Sequence, residues 1–483
     1  MDKEKELLLR ELFKEWAEEK AVSFIPLQPS GSYREYYRII SENKQAIGVY
    51  NANLKENQAF LAFTRHFLEK NVPVPNIYAE DLSQHIYLLE DLGDTTLFAH
   101  LHEMRNGGEF PMDILPTYKD ALSCLAHIQV EAGKGLDFSV CYPRARFDEQ
   151  SIQWDLNYFK YYFLRLAKIP FDEQLLENDF EKFYRYLLET NTNYFLYRDF
   201  QARNIMLHEG KPYFIDYQGG RKGALQYDLA SLLYQAKANI PEEIREELLV
   251  HYMNEVENYV SIDREEFRKF YYAYVLIRTI QVLGAYGFRG FYERKPHFLE
   301  SIPFAIKNLK AILKKIELPI EIPELNKALI AITESEELQL FGKPDPANQS
   351  LTVTINSFSY KNAIPEDPSG NGGGFIFDCR AIHNPGRYEP YKKQTGRDRD
   401  VIDFLKKNSK IDAFLMHVYT LVDSSVEKYL SRGFNNLMVN FGCTGGQHRS
   451  VYCADQLAAH LKKKYNVNIK LSHIEQERKN WQN

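Results

Sequence analysis

Asp199 is followed five residues later by Asn204, and twelve residues further on by Asp216, in the string NYFLYRDFQARNIMLHEGKPYFIDYQGG. Transfer of a phosphoryl group from ATP asks little covalent chemistry of a protein. It needs one group to orient and deprotonate the acceptor hydroxyl, and ligands that hold Mg²⁺ across the phosphates. Asp199 has the chemistry of that base, and Asn204 and Asp216 would present hard oxygen ligands to Mg²⁺.

A second constellation lies near the C-terminus, NLMVNFGCTGGQHRSVYCADQLAAHL, which reads as an apolar strand, a tight polar loop and a helix. A helix N-terminus offers unpaired backbone N–H groups to an anion. Gly445 and Gly446 would let the backbone approach that anion, and Arg449 adds a planar fork suited to phosphate. Cys443 and Arg449 also have the spacing of a tyrosine-phosphatase-type loop, in which a thiolate attacks phosphate. Such loops carry His before the Cys, where this chain has Gly442. The expectation is therefore an anion-binding loop.

The elements that must position these residues fall into three regions. From about Val22 to Glu90 the pattern is strand-rich, with YREYYRII and QAIGVY as paired strands and one helix around Glu56 to Lys70. From about Thr95 to Ile316 long helical periodicities dominate, as in FRKFYYAYVLIRTIQVL, with the short strand-loop-strand block Tyr194 to Gln218 embedded among them. A strand-rich lobe followed by a helical lobe is a bilobal cleft design. The proline-interrupted LPIEIPEL and the turn-rich KPDPANQS place a domain change between Pro319 and Ser350, with a bridging helix at Asn326 to Thr333. The last region alternates strands with helices, an α/β pattern.

Bulk properties narrow the class. The chain has 483 residues, too many for one ordinary core, and 44% hydrophobic with 26% charged residues is the balance of a globular protein. Five cysteines, odd in number and without a CxxC pair, argue against a disulfide scaffold and for a reducing compartment. No apolar run approaches the ~20 residues of a membrane span. The N-terminal Leu8, Leu12 and Trp16 recur at helical spacing in a charged amphipathic helix, which is expected to pack on the protein. A cytoplasmic location with no membrane association is the reading. The net charge of −6 hides an asymmetry: residues from Leu351 onward carry +6 and the remainder −12. A mildly basic tail tolerates an anionic partner, whether a phosphorylated ligand or nucleic acid.

The first constellation resembles the aminoglycoside phosphotransferase family, relatives of the protein kinases. The family pattern His-x-Asp-x-x-x-x-Asn followed by Ile-Asp-aromatic appears as Tyr197-Arg198-Asp199 through Asn204, then Ile215-Asp216-Tyr217. Tyr227-Asp228-Leu229-Ala230-Ser231 matches a downstream segment whose Asp braces the catalytic loop. The likeness covers roughly residues 20 to 315. It implies an α+β, bilobal protein-kinase-like fold with ATP and Mg²⁺ as cofactors. Ser30, Gly31, Ser32 and Arg34 would form a phosphate-covering turn. The run IYLLEDLGDTTL would be the lobe hinge, holding adenine near Glu90 to Leu92. Glu56 would pair with a phosphate-binding Lys. The strand QAIGVYNAN contains no Lys, so either Lys44, Lys55 or Arg34 takes that task or the chain manages without such a cation. The motifs are most similar to those of anomeric kinases for N-acetylmuramate and N-acetylglucosamine, which implies a sugar hydroxyl as acceptor.

The last region, about residues 351 to 479, resembles the C-terminal domain of the RNase adapter RapZ through GCTGGQHRSVY, SFSYKNAIP, FIFDCRAIHNPG, KKQTGRDRDV and SHIEQER. That family domain binds glucosamine-6-phosphate and small RNA, and it oligomerises. The resemblance implies a sugar-phosphate pocket lined by Asp378, Arg380, Asn384, Thr444, Gly445, His448 and Arg449. The family's N-terminal half is a P-loop domain, and no G-x-x-x-x-G-K-[ST] occurs in this chain. The expected organisation is a kinase domain over 1–318 (strand-rich lobe about 20–94, helical lobe about 95–318), a linker over 319–350, and a smaller α/β domain over 351–483. The rival organisation of function is a regulatory RNA- or protein-binding adapter with a vestigial kinase.

Overall fold

In the computed structural model, residues 3–27, 34–105, 108–341, 351–367, 374–431 and 434–479 are described. They form two compact units, divided at residues 342/343.

The first unit opens with helix α1 (Lys3–Ala17), followed by a five-stranded antiparallel sheet of β1 (Ser23–Pro26), β2 (Glu35–Ile40), β3 (Gln45–Tyr50), β4 (Ile77–Asp81) and β5 (Ile86–Leu89) in the order β1-β2-β3-β5-β4. The expected pair YREYYRII and QAIGVY is β2 and β3, in register from Glu35↔Tyr50 to Ile40↔Gln45. The apolar stripe of α1 buries Leu9 and Phe13 against Tyr37, Ile39, Ala46 and Leu88. A Cβ at Gly48 of β3 would lie 2.8 Å from Ile39 Cδ1 and 3.1 Å from Leu9 Cδ2, so a glycine there lets the helix settle on the sheet. Trp16 stacks on Tyr78, with ring centres 4.3 Å apart. This amphipathic helix is thus spent on the protein's own core.

Helix α2 (Leu54–Glu69) follows β3, and the side chain of its N-cap Asn53 accepts the Glu56 N–H. Its buried face reaches the helical lobe. Phe60 stacks on Tyr217 at 5.1 Å, and the Thr64 and Tyr217 hydroxyls share a hydrogen bond of 2.5 Å. The residue after Asp216 is therefore clamped to the strand-rich lobe. The helical lobe is built round the 23-residue helix Arg264–Tyr286, which is buried along most of its length and packs against the helices Glu149–Phe159 and Leu225–Leu233. Between these helices two short hairpins carry the chemistry: β6 (Tyr194–Leu196) with β9 (Arg221–Gly223), and β7 (Ile205–His208) with β8 (Lys211–Phe214).

The segment expected to begin a linker at residue 319 is instead part of this unit. Helix Pro323–Glu334 buries Leu325, Ala328, Leu329 and Ile332, and a further helix spans Glu336–Leu340. Asp179 accepts the N–H groups of Glu324 and Leu325 at 2.7 and 3.0 Å, capping the first of these helices with a carboxylate from the helix Glu173–Leu187. Prolines 319 and 323 punctuate the chain here without ending the domain.

The second unit has a four-stranded, wholly parallel sheet, in the order β11-β12-β10-β13, formed by β10 (Thr352–Ser359), β11 (Phe375–Asp378), β12 (Asn436–Cys443) and β13 (Asn468–His473). Helices Arg399–Asn408, Ile411–Ser431 and Arg449–Lys464 connect the strands. Its core is separate, centred on Val353, Ile355, Val439, Phe441 and Leu457. Among the described residues of the chain, no helix is long and apolar enough to cross a membrane.

If helix Pro323–Glu334 is integral to the first unit, Leu329→Ala in the full chain costs that unit about 2–5 kcal/mol. Hydrogen exchange of first-unit peptides across a urea titration reads this directly. Unchanged protection would return residues 323–334 to the status of a linker.

Candidate functional site

The catalytic-loop candidates sit between β6 and β7, and their backbone is held from beneath. Asp228, fully buried on the helix Leu225–Leu233, accepts the N–H of Tyr197 at 2.7 Å and of Arg198 at 2.9 Å, and the amide of Gln129 at 3.0 Å. With its own N–H and that of Tyr197 both bound to this carboxylate, Arg198 takes left-handed backbone, φ +81°, a region costly to a residue with a Cβ. The Arg198 side chain then points inward, donating to Asp155 (2.7 Å) and to the Tyr227 hydroxyl (2.6 Å). Tyr197 stands where the family pattern has His. Its hydroxyl donates to the Ile215 carbonyl at 2.5 Å, tying the loop to the strand end that presents Asp216.

Asp199 emerges from this braced loop with its side chain about half exposed. The Asn204 amide donates to the Asp199 carbonyl (2.9 Å) and to Asp216 Oδ2 (3.3 Å), so the three residues first joined by spacing form one cluster. Gln218 donates to Asp216 Oδ1 at 2.6 Å. Asp216 itself has φ +69°. Its pKa is raised, by burial first and by the Asp199 charge second, against the pull of Gln218 and Arg34. A buried carboxylate whose ionisation is disfavoured by burial and by a neighbouring negative charge is a natural counterpart for a cation. The donor set fits a hard divalent ion: Asp216 carboxylate, the Asn204 amide oxygen left over from its donor bonds, and Gln218 Oε1, buried without a hydrogen-bond partner.

Of the three cations left open for the missing Lys, Arg34 is the one at the site. It lies just before β2 with its side chain buried, donates to Glu56 Oε2 at 2.9 Å, and meets Asp216 Oδ1 at 3.3 Å. The Lys44 ammonium sits over the Trp16 ring (5.3 Å) and that of Lys55 over Tyr142 (5.8 Å), both occupied elsewhere. Ser30, Gly31 and Ser32 lie outside the described residues. The hinge candidates follow β5. The Glu90 carboxylate accepts from Asn76, the Leu92 carbonyl meets His208 Nδ1 at 3.3 Å, and Arg38 grips the Asp91 carboxylate at 2.6 and 3.0 Å and that of Asp94 at 2.9 and 3.0 Å. The hinge is stapled to β2 by charge.

In the second unit, Asp378 ends β11 and Thr444 to His448 follow β12, so these residues converge on the carboxyl edge of the parallel sheet, the usual ligand crevice of such sheets. Gly446 has φ +63°, and a Cβ there would meet Glu475 Cγ at 2.4 Å. Thr444 and Gly445 are exposed. Arg449 and His448 differ from expectation. The Arg449 guanidinium is buried and donates to the carbonyls of Arg380 (2.9 Å) and Ile382 (2.8 Å), and to Thr444 Oγ1 (3.3 Å). It shapes the loop that follows β11 from inside instead of lining open space. His448 bonds the Tyr391 carbonyl at 2.8 Å, and its pKa is lowered, chiefly by burial. The Asn384 side chain accepts the Gly386 N–H, while Asp378 and Arg380 pair on the surface with Arg380 over the Tyr360 ring. Cys443 is buried, with its Sγ 3.1 Å from Ser450 Oγ.

A two-lobed unit with a braced Asp loop and an opposed Asp–Asn pair, followed by a parallel α/β unit, is the architecture of a protein-kinase-like phosphotransferase joined to an accessory domain. Family models agree. The phosphotransferase enzyme family matches residues 47–269, and the RapZ C-terminal domain matches residues 351–477. The chain combines a phosphotransferase-family domain in its first unit with a RapZ C-terminal domain in its second. Curated relatives include a nucleotide-binding protein of Thermotoga neapolitana, 36% identical over 158 residues (32% of this chain, 54% of that protein). Another, from Fusobacterium nucleatum, is 30% identical over 213 residues (41% of this chain, 69% of that protein). The chain spans 54% and 63% of the lengths of the first two curated relatives. Similar solved structures include a choline kinase from Streptococcus pneumoniae (15% identity, TM-score 0.41, 64% of this chain and 99% of that one). A choline kinase from Cryptosporidium parvum is similar too (12% identity, TM-score 0.46, 68% and 100%).

Residues that sequence reading missed include Gln218, Gln201, whose amide meets Asp199 Oδ1 at 3.3 Å, and Arg278, whose Nη2 lies 3.9 Å from the same oxygen. The signal for Arg278 was present: a lone arginine inside the apolar run YVLIRTIQVL.

Burial pushes the Asp228 carboxyl up to about 7, while its backbone donors pull it down. Its folded pKa lies above that of an unfolded Asp, so the stability it contributes is full below about pH 4 and is lost as pH rises through about 7. Asp228→Asn cannot titrate. The melting temperature of wild type relative to this variant falls by about 3 °C or more between pH 4 and pH 8. A gap independent of pH would refute the raised pKa.

Proposed function

We propose that the first unit is an ATP- and Mg²⁺-dependent kinase acting on a hydroxyl of a sugar, an amino sugar of cell-wall metabolism, and that the second unit binds a phosphorylated amino sugar. The observation carrying the first half is the single cluster of Asp199, Asn204 and Asp216 with Arg34 joined to Glu56. Asp216 and Asn204 would hold the metal, which supplies charge neutralisation across the phosphates. Asp199 accepts the proton of the acceptor hydroxyl at a carboxylate oxygen steadied by Gln201 and Arg278. Arg34, fixed by Glu56, supplies to the phosphates the positive charge that a lysine gives elsewhere in the family. The Asp228 brace holds the base in place with no rearrangement at the moment of transfer.

The amino-sugar assignment rests on sequence likeness: the loop motifs resemble those of anomeric amino-sugar kinases, and the RapZ C-terminal domain points to the same metabolites. A vestigial kinase would be expected to have lost a member of the cluster, and every member is present.

ATP consumption by the full chain against a panel of sugars, amino sugars, choline and aminoglycosides tests the kinase. An amino sugar is expected to give turnover, and Asp199→Ala to lower kcat at least ~10²-fold while Mg·ATP still binds. No sugar-dependent turnover by wild type would sink the amino-sugar reading. Glucosamine-6-phosphate is expected to stabilise the second unit by about 2.7 kcal/mol at a hundredfold excess over its dissociation constant, and an unchanged melting profile at millimolar ligand would refute that pocket.

A further inference from the structure

Asp199 stands at the head of two helix faces that take no part in the metal and phosphate chemistry. On the helix Glu149–Phe159, Asp155 holds Arg198 beneath the loop at 2.7 Å, and Tyr158 and Tyr162 follow it at helical spacing. On the helix Arg264–Tyr286, Arg278 Nη2 lies 3.9 Å from Asp199 and its Nη1 donates to Gln281, with Phe288 and Tyr292 further on. The two helices pack together, so both faces lead from the catalytic loop to one patch of aromatic rings. We infer that this patch is a second sugar subsite. The acceptor is a saccharide of two or more rings, one presenting its hydroxyl to Asp199 and the next stacked on Tyr158, Phe288 and Tyr292. This inference deepens the kinase reading of the first unit and rests on it.

Local backbone brings the rings together. Each helix ends in a single π-helical turn, Lys160–Leu164 in one and Gly287–Tyr292 in the other, and the two turns pack on each other. Turns of this kind are rare and occur frequently at functional sites. Glycines let the backbones close: a Cβ at Gly284 would lie 3.0 Å from Tyr158 Cδ1, and one at Gly287 would lie 2.1 Å from the Tyr162 carbonyl oxygen. Ring centres are then 4.9 Å apart for Tyr158 and Tyr162, 4.9 Å for Tyr162 and Phe288, and 5.4 Å for Phe288 and Tyr292. The cluster stays open to solvent all the same. Tyr292 is 67% exposed, and Tyr158, Tyr162 and Phe288 are half-buried.

An open ring face carries negative potential, the complement of the weakly positive C–H face of a pyranose. The surroundings supply groups for its hydroxyls. Gln281 Oε1 is taken by Arg278, which leaves the Gln281 NH₂ to donate. Burial pushes the Tyr158 hydroxyl up to about 12, so it stays neutral and can both donate and accept. Arg289 and Glu293 pair at 2.9 Å at the edge of the patch. Aromatic walls with a few placed polar groups are the usual lining of a small-molecule site. Reach sets the size of the ligand. Phe288 lies seven residues beyond Gln281, about 10 Å along the helix, which is farther than one hexose ring extends. A single sugar held at Asp199 would leave these rings bare, and a second ring linked to it covers them.

The test compares N-acetylglucosamine with its β-1,4-linked dimer as acceptors for the full chain. Binding of both is measured by calorimetry in the presence of Mg²⁺ and a non-hydrolysable ATP analogue. The dimer is expected to exceed the monomer about tenfold or more in kcat/KM, with the gain in KM, or in affinity where turnover is absent. Tyr292→Ala changes an exposed ring that the fold does not need, and is expected to lower the dimer-to-monomer ratio about threefold. The pair Tyr158→Ala and Phe288→Ala is expected to bring the ratio close to one, and Tyr158→Phe to retain most of it. Equal use of monomer and dimer, or a ratio unmoved by these variants, would overturn the inference and leave the kinase reading standing. A changed oligomeric state on Tyr292→Ala with the ratio intact would overturn it too, giving the patch to a protein contact. Absence of binding and turnover for both saccharides while Mg·ATP still binds would refute the sugar reading itself, and the inference with it.

Discussion

One guanidinium joins the two lobes of the first unit at the point where chemistry is proposed. Arg34 enters from the edge of β2, takes Glu56 from helix α2, and touches Asp216, 182 residues away in sequence. Buried, it needs both carboxylates, and each of them is positioned by it. Glu56 is held in the first turn of α2 by the Asn53 cap, and Asp216 by Gln218 and Asn204. The strand β3 carries no lysine, and the buried cation found at this point is Arg34 at the start of β2, where it meets a helix carboxylate and a strand-end carboxylate.

The second constraint is the brace beneath the catalytic loop. Asp228 accepts two successive backbone N–H groups, and the chain passes through left-handed conformation at Arg198, the residue before Asp199. Asp216, also left-handed, is held by side chains on both of its oxygens. Such backbone persists only where its surroundings over-determine it. Tyr197 closes the circuit between the two bends through the Ile215 carbonyl. A tyrosine can therefore occupy the histidine position of the pattern without loosening the loop.

The Asp199–Asn204–Asp216 cluster was legible because its members are local in sequence and their spacing is fixed by one loop and one hairpin. The hairpin of β2 and β3 was equally plain from alternation. Arg34 was named only as one of three candidates, because nothing local distinguishes an arginine at a strand edge from lysines nearby; the choice is made by tertiary contacts. The helix Pro323–Glu334 was seen, but it was read as part of a linker, because prolines at its entrance look like a boundary until Asp179 is found capping it. Arg449 was read as a phosphate fork from its place at a helix start. Its partners proved to be the carbonyls of Arg380 and Ile382, which no pattern in the sequence announces.

The claim that Arg34 does the work of the absent lysine through its pairing with Glu56 is tested most directly by a double-mutant cycle. Mg·ATP affinity is measured by calorimetry for wild type, Arg34→Ala, Glu56→Ala and the double variant. The account predicts that each single change weakens binding and that the two are coupled by about 1 kcal/mol or more. Additive effects, or an Arg34→Ala variant that binds Mg·ATP as wild type does, would contradict it.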